Sequence, residues 1–326
     1  YVNQVGGQDE LVFDGGSFSI EADGTLKTQL PFFEEAIQPA HQGSMQSHTE
    51  NELIYNALKL GLGDYVRKNG FSGVIIGLSG GVDSALTAAL AVDALGAKHV
   101  HCVMLPSQFT SQESLDDAAA LAKNLGVRLD TISIEAPLKA FEQTLPGLKG
   151  LAHENIQSRI RGNILMALSN TEGKMVLTTG NKSEMAVGYA TIYGDMNGGF
   201  NALKDVYKTK VYALCHWRND QGAIIPDRII TKAPTAELRE NQLDQDSLPP
   251  YDVLDGILEL LIEAEQSVDD ICSNEKFERE TVLRIWKLLD RAEYKRYQAA
   301  PGTKTTPKAF GRDRRYPMTN RYSDTF

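Results

Sequence analysis

One stretch organises the interpretation of the whole sequence: Val74-Ile75-Ile76-Gly77-Leu78-Ser79-Gly80-Gly81-Val82-Asp83-Ser84. Its apolar start is typical of a buried strand, and the Ala/Leu-rich residues 85–95 that follow are typical of a helix. Between them, two adjacent glycines let the backbone approach a ligand closely with its N–H groups pointing inward. The start of the helix adds its positive dipole end at the same point. The sequence therefore predicts a strand, a glycine turn and a helix that form an anion-binding loop.

The polar side chains of segment 79–84 indicate what this loop binds. Ser79 and Ser84 add hydroxyl donors, and Asp83 adds a carboxylate that can hold a cation. The segment has neither the Gly-Lys-Ser/Thr ending of a P-loop nor the Gly-x-Gly-x-x-Gly spacing of a dinucleotide turn. An ordinary glycine-rich turn is the alternative. The whole segment favours a cradle for pyrophosphate and its metal, and it resembles the loop of the ATP pyrophosphatases, which cleave ATP between the α and β phosphates and adenylate a substrate.

Composition excludes several classes of protein. The chain has 326 residues, enough for one large or two ordinary domains, and its net charge of −10 argues against broad nucleic-acid binding. The three cysteines, Cys102, Cys215 and Cys272, are far apart and suggest neither a disulfide framework nor a zinc site. No apolar run approaches the length of a membrane span. We therefore expect a cytoplasmic protein with no nucleic-acid or membrane partner.

Helical and strand-like segments alternate from residue 51 onward. We predict helices over 51–68, 114–125, 155–168 and 206–217, and strands over 74–78, 100–105, 129–134 and 175–179. Two further helices, over 253–265 and 281–292, follow without strands between them. The rhythm predicts an α/β fold with a parallel sheet covered by helices on both faces and a helical C-terminal region. Ligands bind such sheets at the carboxyl ends of the strands, which here lie near Leu78, Leu105, Ile134 and Thr179.

Several later segments also carry chemistry-bearing residues, among them Asn155-Ile156-Gln157-Ser158-Arg159-Ile160-Arg161, Thr178-Thr179-Gly180-Asn181-Lys182-Ser183-Glu184, and Lys204-Asp205-Val206-Tyr207-Lys208. Together with segment 79–84 they closely resemble the NAD synthetases, specifically the synthetase half of the glutamine-dependent bacterial enzymes. The resemblance implies a Rossmann-like adenine-nucleotide alpha-hydrolase fold. It also implies that ATP adenylates the nicotinate carboxylate of deamido-NAD, after which ammonia displaces AMP to give NAD.

The resemblance divides the chain into four parts. Residues 1–37 look like the end of a nitrilase-like glutaminase domain, whose catalytic Glu, Lys and Cys would lie upstream, so that the chain is expected to be a segment of a longer enzyme. Residues 38–48 form a predicted linker and residues 49–292 the synthetase domain. The basic residues 293–326 are predicted to be a lid or interface element, and truncation after Ala292 is expected to reduce activity more than stability.

The resemblance also assigns the site residues. The ATP contacts are Gly77, Leu78, Ser79, Gly80, Gly81, Val82, Asp83, Ser84, Thr179 and Lys208. The deamido-NAD contacts are Asn155, Arg159, Glu184 and Lys295. Asp83 and Glu184 are the expected Mg²⁺ ligands, and with Lys208 they are the expected catalytic residues. From the residues alone, the alternative is that Lys208 and Arg159 lie on solvated helix faces and that either carboxylate is a solvated or capping acid. Tyr294 stands where the family often has His, and Phe109 stands where it commonly has Tyr.

The expected partners are deamido-NAD, ATP and ammonia, with glutamine as the ammonia source through the upstream domain. A homodimer or higher oligomer is expected, because helices 51–68 and 155–168 carry more apolar residues than one sheet face needs. Two alternatives stay open. One is another ATP pyrophosphatase of the GMP synthetase or tRNA-thiolating type, and the other is a non-catalytic adenine-nucleotide-binding module.

Overall fold

The computed structural model describes residues 1–39, 47–240, 242–273, 276–320 and 322. Residues 40–46, most of the predicted linker, and Arg321 of the basic segment lie outside the described residues. The chain begins with two antiparallel hairpins, whose strands are β1 Val5–Gln8, β2 Leu11–Asp14, β3 Phe18–Ile20 and β4 Leu26–Gln29. The first hairpin is fastened to the first helix, because Gly7 N–H donates to Asp64 at 2.8 Å and Lys68 donates to the Gly7 carbonyl at 2.6 Å.

A parallel sheet forms the centre of the molecule. Its strands are β5 Val74–Gly77, β6 Val100–Met104, β7 Arg128–Thr131, β8 Met175–Thr178 and β9 Phe200–Asn201. They lie in the order β7-β6-β5-β8-β9 and all four pairings are parallel. The order reverses between β5 and β8, so the loops after these two strands diverge and leave a crevice at the carboxyl edge. The predicted parallel sheet is confirmed, and the short β9 is an addition to it.

Helices surround the sheet. They are α1 Glu50–Lys68, α2 Val82–Leu95, α3 Gln112–Leu125, α4 Glu135–Thr144, α5 Leu151–Glu172, α6 Lys182–Val187, α7 Lys208–Asp220, α8 Asp227–Thr231, α9 Tyr251–Ile262, α10 Val268–Ser273, α11 Arg279–Arg291 and α12 Glu293–Arg296. Thr49 is the N-cap of α1, since its hydroxyl accepts the Glu52 N–H at 3.2 Å. In the described parts of the chain, no helix is both long and apolar enough to cross a membrane.

The core has three parts. Buried residues of α1, α2, α3 and α7 cover one face of the sheet, and α4 and α5 cover the other around Ile75 and Val103. Small side chains, Ala85, Ala88, Ala89 and Ala91, are all fully buried in α2 and let this helix lie close to its neighbours. A separate cluster joins α6 to α9, α10 and α11. Helices on both faces and a helical C-terminal region are as predicted.

The strap, defined as residues 299–310, runs from α12 back across the sheet edge. Asn201 N–H donates to the Pro301 carbonyl at 2.8 Å, and a Cβ on Gly302 would lie only 2.1 Å from the Asn201 carbonyl oxygen. Thr303 is fully buried and Phe310 is 2% exposed. The preceding Arg296 is also buried and donates to the carbonyls of Met185, Ala186 and Leu289. This part of the basic segment is therefore packed into the domain rather than held only by ligand.

Candidate active site

Two adjoining cavities open at the carboxyl edge of the sheet. The loop cavity is lined by segment 79–84 together with Glu184, Lys208 and Asp244. The apolar cavity is lined by the ends of β5, β6 and β8 and by Arg161 and Leu165 of α5. Both cavities share Ser79, Thr178, Thr179, Asp195 and residues 235–237. The two cavities therefore adjoin along these shared residues, with the glycine loop on one side and the apolar strand ends on the other.

The glycine loop needs its glycines for two different reasons. Gly80 has φ +80°, and a Cβ there would lie 2.4 Å from the Ser114 carbonyl oxygen. Gly81 is the N-cap of α2, and among the described residues no side chain caps that helix start. The first N–H groups of α2 therefore remain available at the cavity wall, where the helix dipole favours an anion. Ser84 braces the loop, because its hydroxyl donates to the Gly81 carbonyl at 2.9 Å.

A buried ammonium joins two carboxylates at the cavity floor. Lys208 is 2% exposed, and its Nζ donates to Asp83 and, at 3.2 Å, to Glu184 Oε1. Burial by itself lowers the pKa of Lys208, but the charges of Asp83 and Glu184 outweigh burial and raise it. Burial raises the pKa of Glu184 to about 8, and the charge of Asp83 adds to that effect while Lys208 opposes it. The structure thus brings the three predicted catalytic residues together.

The two carboxylates suit a divalent ion that arrives with phosphate. Mg²⁺ in nucleotide sites takes one or two carboxylates plus phosphate oxygens and keeps several waters. Asp83 and Glu184 contact one positive centre from adjacent strand ends, which is the placement such an ion needs. Within the described ranges there is no group of three or more His, Cys, Asp or Glu that could hold a metal by itself. The donor set therefore fits Mg²⁺ as a partner of a triphosphate.

Three of the predicted deamido-NAD contacts converge on one loop. Thr191 donates its hydroxyl to Asn155 at 2.9 Å, and Arg159 donates to the Ile192 carbonyl at 3.2 Å. Lys295 donates to the carbonyls of Gly188 and Ala190, both at 2.7 Å. Although all three are among the described residues, none of them lines either cavity. They position segment 188–192, whereas Glu184, the fourth predicted contact, does line the loop cavity.

Two further acids, Asp195 and the buried Asp244, line the loop cavity, and neither is assigned a role from the sequence. Asp195 accepts from the Ser158 hydroxyl at 3.1 Å and from the Thr191 N–H at 2.8 Å. Asp244 accepts from the Tyr251 hydroxyl at 2.8 Å. Burial raises the pKa of both carboxyl groups. Asp244 reaches the cavity from a polar connection far along the chain, which carries no motif that would indicate a site.

Segment 232–238 forms the wall between the two cavities. Glu237 accepts from Ser111 at 2.8 Å and from Ser114 at 2.7 Å, while Lys232 lies 3.6 Å from the same carboxylate. Glu237 adopts φ +48°, an uncommon conformation for a residue with a side chain. Burial lowers the pKa of nearby Arg161 to about 10, and its Nε donates to the Leu105 carbonyl at 2.9 Å. The polar contacts of Glu237 tie this wall to α3.

Comparison with known proteins gives one consistent result. A family model described as NAD synthase matches residues 54–299. A glutamine-dependent NAD(+) synthetase of Rhodobacter capsulatus is 56% identical over 352 residues, which cover 99% of this chain and 63% of the relative. A Synechocystis protein of the same name is 49% identical, and the match covers 99% of this chain and 60% of that protein. The chain thus spans about three-fifths of the length of these curated relatives.

Solved structures agree with the sequence matches. A glutamine-dependent NAD+ synthetase from Acinetobacter baumannii in complex with ADP is 45% identical with a TM-score of 0.69, covering 98% of this chain and 61% of that one. An NMN synthetase from Francisella tularensis is 28% identical with a TM-score of 0.65, covering 78% of this chain and 98% of that one. The second match covers nearly all of a shorter enzyme, so the shared fold is complete without the additional length of the first.

Proposed function

Because the chain belongs to the NAD synthase family, we propose that it amidates deamido-NAD to NAD with ATP, releasing AMP and pyrophosphate. The observation that carries the proposal is the meeting of segment 79–84, Asp83, Glu184 and Lys208 in one cavity. The uncapped N–H groups of α2 and the buried ammonium of Lys208 can stabilise the negative charge that develops on pyrophosphate as it leaves. A plain nucleotide-binding module needs no such pair of carboxylates around a lysine.

The proposed reaction has two steps. An oxygen of the nicotinate carboxylate attacks the α-phosphorus of ATP, and the bond from that phosphorus to the bridging oxygen breaks. Ammonia then attacks the carbonyl carbon of the acyl-adenylate, loses a proton and displaces AMP. When bound, Mg²⁺ supplies charge neutralisation for the triphosphate. The protein contributes mainly position and charge, because the described cavity holds cationic and N–H donors around the phosphate region.

We assign the apolar cavity to the adenine ring of ATP and the loop cavity to its phosphates and the nicotinate end of deamido-NAD. The apolar cavity has the kind of apolar walls that a base requires, formed by Leu78, Met104, Leu105 and Leu177. Asn155, Arg159 and Lys295 act on the second substrate through segment 188–192, which they hold. Their substitution is therefore expected to affect the Michaelis constant for deamido-NAD through the shape of that loop.

Two proposals concern the whole protein. The relatives' names state dependence on glutamine, and we place glutamine hydrolysis in the part of those relatives that this chain does not match. We also propose a homodimer or higher oligomer formed through α5, which exposes Leu151 at 70% and Met166 at 38%. A symmetric contact would bury these apolar side chains on both copies. Sedimentation of the protein at micromolar concentration tests this, and a monomer with full activity would contradict it.

ATP–pyrophosphate exchange tests the reaction itself. Residues 1–326 are supplied with ATP, Mg²⁺, labelled pyrophosphate and one acceptor at a time, and ammonium is added in a separate reaction. We expect exchange with deamido-NAD, and NAD once ammonium is present. Xanthosine monophosphate and transfer RNA test the other ATP pyrophosphatase activities, and nicotinate mononucleotide tests the reaction suggested by the Francisella likeness. Exchange with one of these instead, or ATP binding without exchange, would contradict the proposal.

A further inference from the structure

Asn181 contacts both of the residues whose carboxylates we propose as metal ligands. It lies in the loop that follows β8, is fully buried, and is the N-cap of α6. Its side-chain carbonyl accepts the Glu184 N–H at 3.0 Å, and its NH₂ group donates to Asp83 Oδ1 at 2.8 Å. One amide therefore holds the backbone of Glu184 and the carboxylate of Asp83, which follow neighbouring strands of the sheet.

The asparagine side chain meets both demands at this position. An amide presents an acceptor on one side and donors on the other, which is what the two contacts require. Serine or threonine can accept the N–H of a helix start, but the side chain is too short to donate to Asp83 as well. Aspartate would cap the helix and place a second negative charge against Asp83. The amide orientation follows from its partners, because an N–H must meet the carbonyl and a carboxylate must meet the NH₂.

The contacts of Asp83 divide its two oxygens between different tasks. Oδ1 accepts from Asn181, while Oδ2 faces Lys208. The same ammonium contacts Glu184 Oε1. With Oδ1 held, Asp83 can turn only Oδ2 toward whichever cation occupies the floor of the cavity. The spacing between the two carboxylates thus depends on this buried amide as well as on the ammonium.

We propose that Asn181 is the positioning residue of the metal site: it fixes the distance between the Asp83 and Glu184 carboxylates so that one divalent ion can take both. The inference rests on the proposed function, because it assumes that these carboxylates bind the metal that accompanies ATP. Partners that orient metal ligands in this way typically change metal affinity 10–100-fold when they are removed, on the order of the effect expected here.

Helix α6 has anchors that do not involve Asn181. Lys208 N–H donates to the Ser183 hydroxyl at 2.9 Å, and Ser183 in turn donates to Asp255. Lys182 pairs with Asp205 at 2.8 Å and with Glu263 at 2.6 Å. Substitution of Asn181 should therefore leave α6 in place and loosen mainly the carboxylates. This separation makes the proposal testable by metal affinity.

The experiment compares Asn181→Ser, which keeps a helix cap, with Asn181→Ala, which does not. Mn²⁺ affinity is measured by electron paramagnetic resonance with saturating α,β-methylene-ATP, together with the thermal unfolding midpoint. We expect Mn²⁺ to bind about tenfold or more weakly in both variants. Thr49→Ala, which removes the cap of a helix outside both cavities, controls for capping and should leave Mn²⁺ affinity unchanged.

A double-mutant cycle identifies the route of the effect. In an Asp83→Ala background, Asn181→Ser should weaken Mn²⁺ binding less than twofold, because the carboxylate that it positions is gone. Parental Mn²⁺ affinity in Asn181→Ser would show that Asn181 is only a helix cap and would overturn the proposal. So would an undiminished effect in the Asp83→Ala background. Neither measurement contains deamido-NAD or ammonium, so a failure of the proposed reaction would be seen separately, in the exchange assay.

Discussion

Lys208 Nζ lies 3.2 Å from Glu184 Oε1 and donates a hydrogen bond to it, so the ammonium occupies a carboxylate oxygen that a metal ion would bind. Asp83 contacts the same ammonium. A metal ion that takes both carboxylates must therefore displace Lys208 from at least one of them. The displaced ammonium is then free to pair with the phosphates that accompany the metal. Lysine and metal thus compete for the carboxylates and cooperate once the nucleotide is present.

We expect Lys208→Met to bind Mn²⁺ more tightly than the parent protein in the absence of nucleotide. The variant removes the competing cation, and attraction to two half-buried carboxylates should raise the Mn²⁺ affinity severalfold or more. With substrates present, turnover should fall by about a hundredfold, since a charge that stabilises the leaving pyrophosphate is lost. Lys210→Met, on the same helix but paired with Glu50 at the surface, is the matched control for both measurements. Unchanged or weaker Mn²⁺ binding in Lys208→Met would contradict the competition.

The raised pKa of Glu184 predicts how stability depends on pH in metal-free protein. Burial raises this pKa from 4.5 to about 8, so the folded state keeps a proton that the unfolded state releases between those pH values. The free energy of unfolding should therefore decrease as pH rises through this window. Glu184→Gln removes the group, and at pH 8.5 the variant should be more stable than the parent by about 1 kcal/mol or more.

Urea unfolding in EDTA at pH 6 and pH 8.5 measures this difference. Asp195, Asp244 and Asp255 also have pKa values raised by burial, and they contribute to the slope in both proteins. The informative quantity is therefore the difference between parent and variant at each pH. Equal pH slopes for the two proteins would show that Glu184 does not hold the proton.

Both carboxylates are expected to be needed for turnover. Asp83→Asn and Glu184→Gln each remove one charge from the proposed metal site, which should cost several kcal/mol in the transition state, on the order of a hundredfold in rate. The Michaelis constant for Mg²⁺ should rise in both. Asp116→Asn, at the exposed surface of α3, is the control. Near-parental turnover at saturating Mg²⁺ in both site variants would remove these residues from the site.

The loop and the sheet could be predicted from local sequence signals, whereas the contacts of long side chains and the positions of distant segments could not. Segment 79–84 could be interpreted because strand, glycine turn and helix follow one another directly, and Thr49 shows its cap within four residues. β9, only two residues long, shows no periodicity, and its pairing with β8 depends on the fold around it. Lys295 could not be placed, since a flexible lysine reaches any carbonyl near it and here finds Gly188 and Ala190.

Lys182 is expected to matter for stability rather than for chemistry. Its buried ammonium contacts Asp205, Glu263, the Thr306 hydroxyl and the Lys308 carbonyl. Lys182→Met leaves two carboxylates without their cation, which should lower the free energy of unfolding by about 3–5 kcal/mol. Lys27→Met, which breaks a partly exposed pair with Glu21, should cost less than about 1 kcal/mol. Similar losses in the two variants, measured by urea unfolding, would show that the buried network contributes little.

The basic C-terminal segment is expected to affect stability at least as much as activity, which reverses the expectation drawn from its sequence. Truncation after Ala292 removes Arg296, whose guanidinium donates to carbonyls of α6 and α11. It also removes Phe310 and so exposes the apolar cluster against which this ring packs. It also removes Thr306, which with Asp205 and Lys182 ties the strap to α6. Losing an aromatic anchor and a buried ion-pair network together should lower the free energy of unfolding by more than about 5 kcal/mol.

A chain that ends after Pro317 keeps all of these contacts, and its free energy of unfolding should lie within about 1 kcal/mol of the parent's. Urea unfolding and NAD formation are measured on both truncated proteins. If the chain ending at Ala292 unfolds at the parental urea concentration but has lost activity, the segment acts as a lid and the packed strap contributes little.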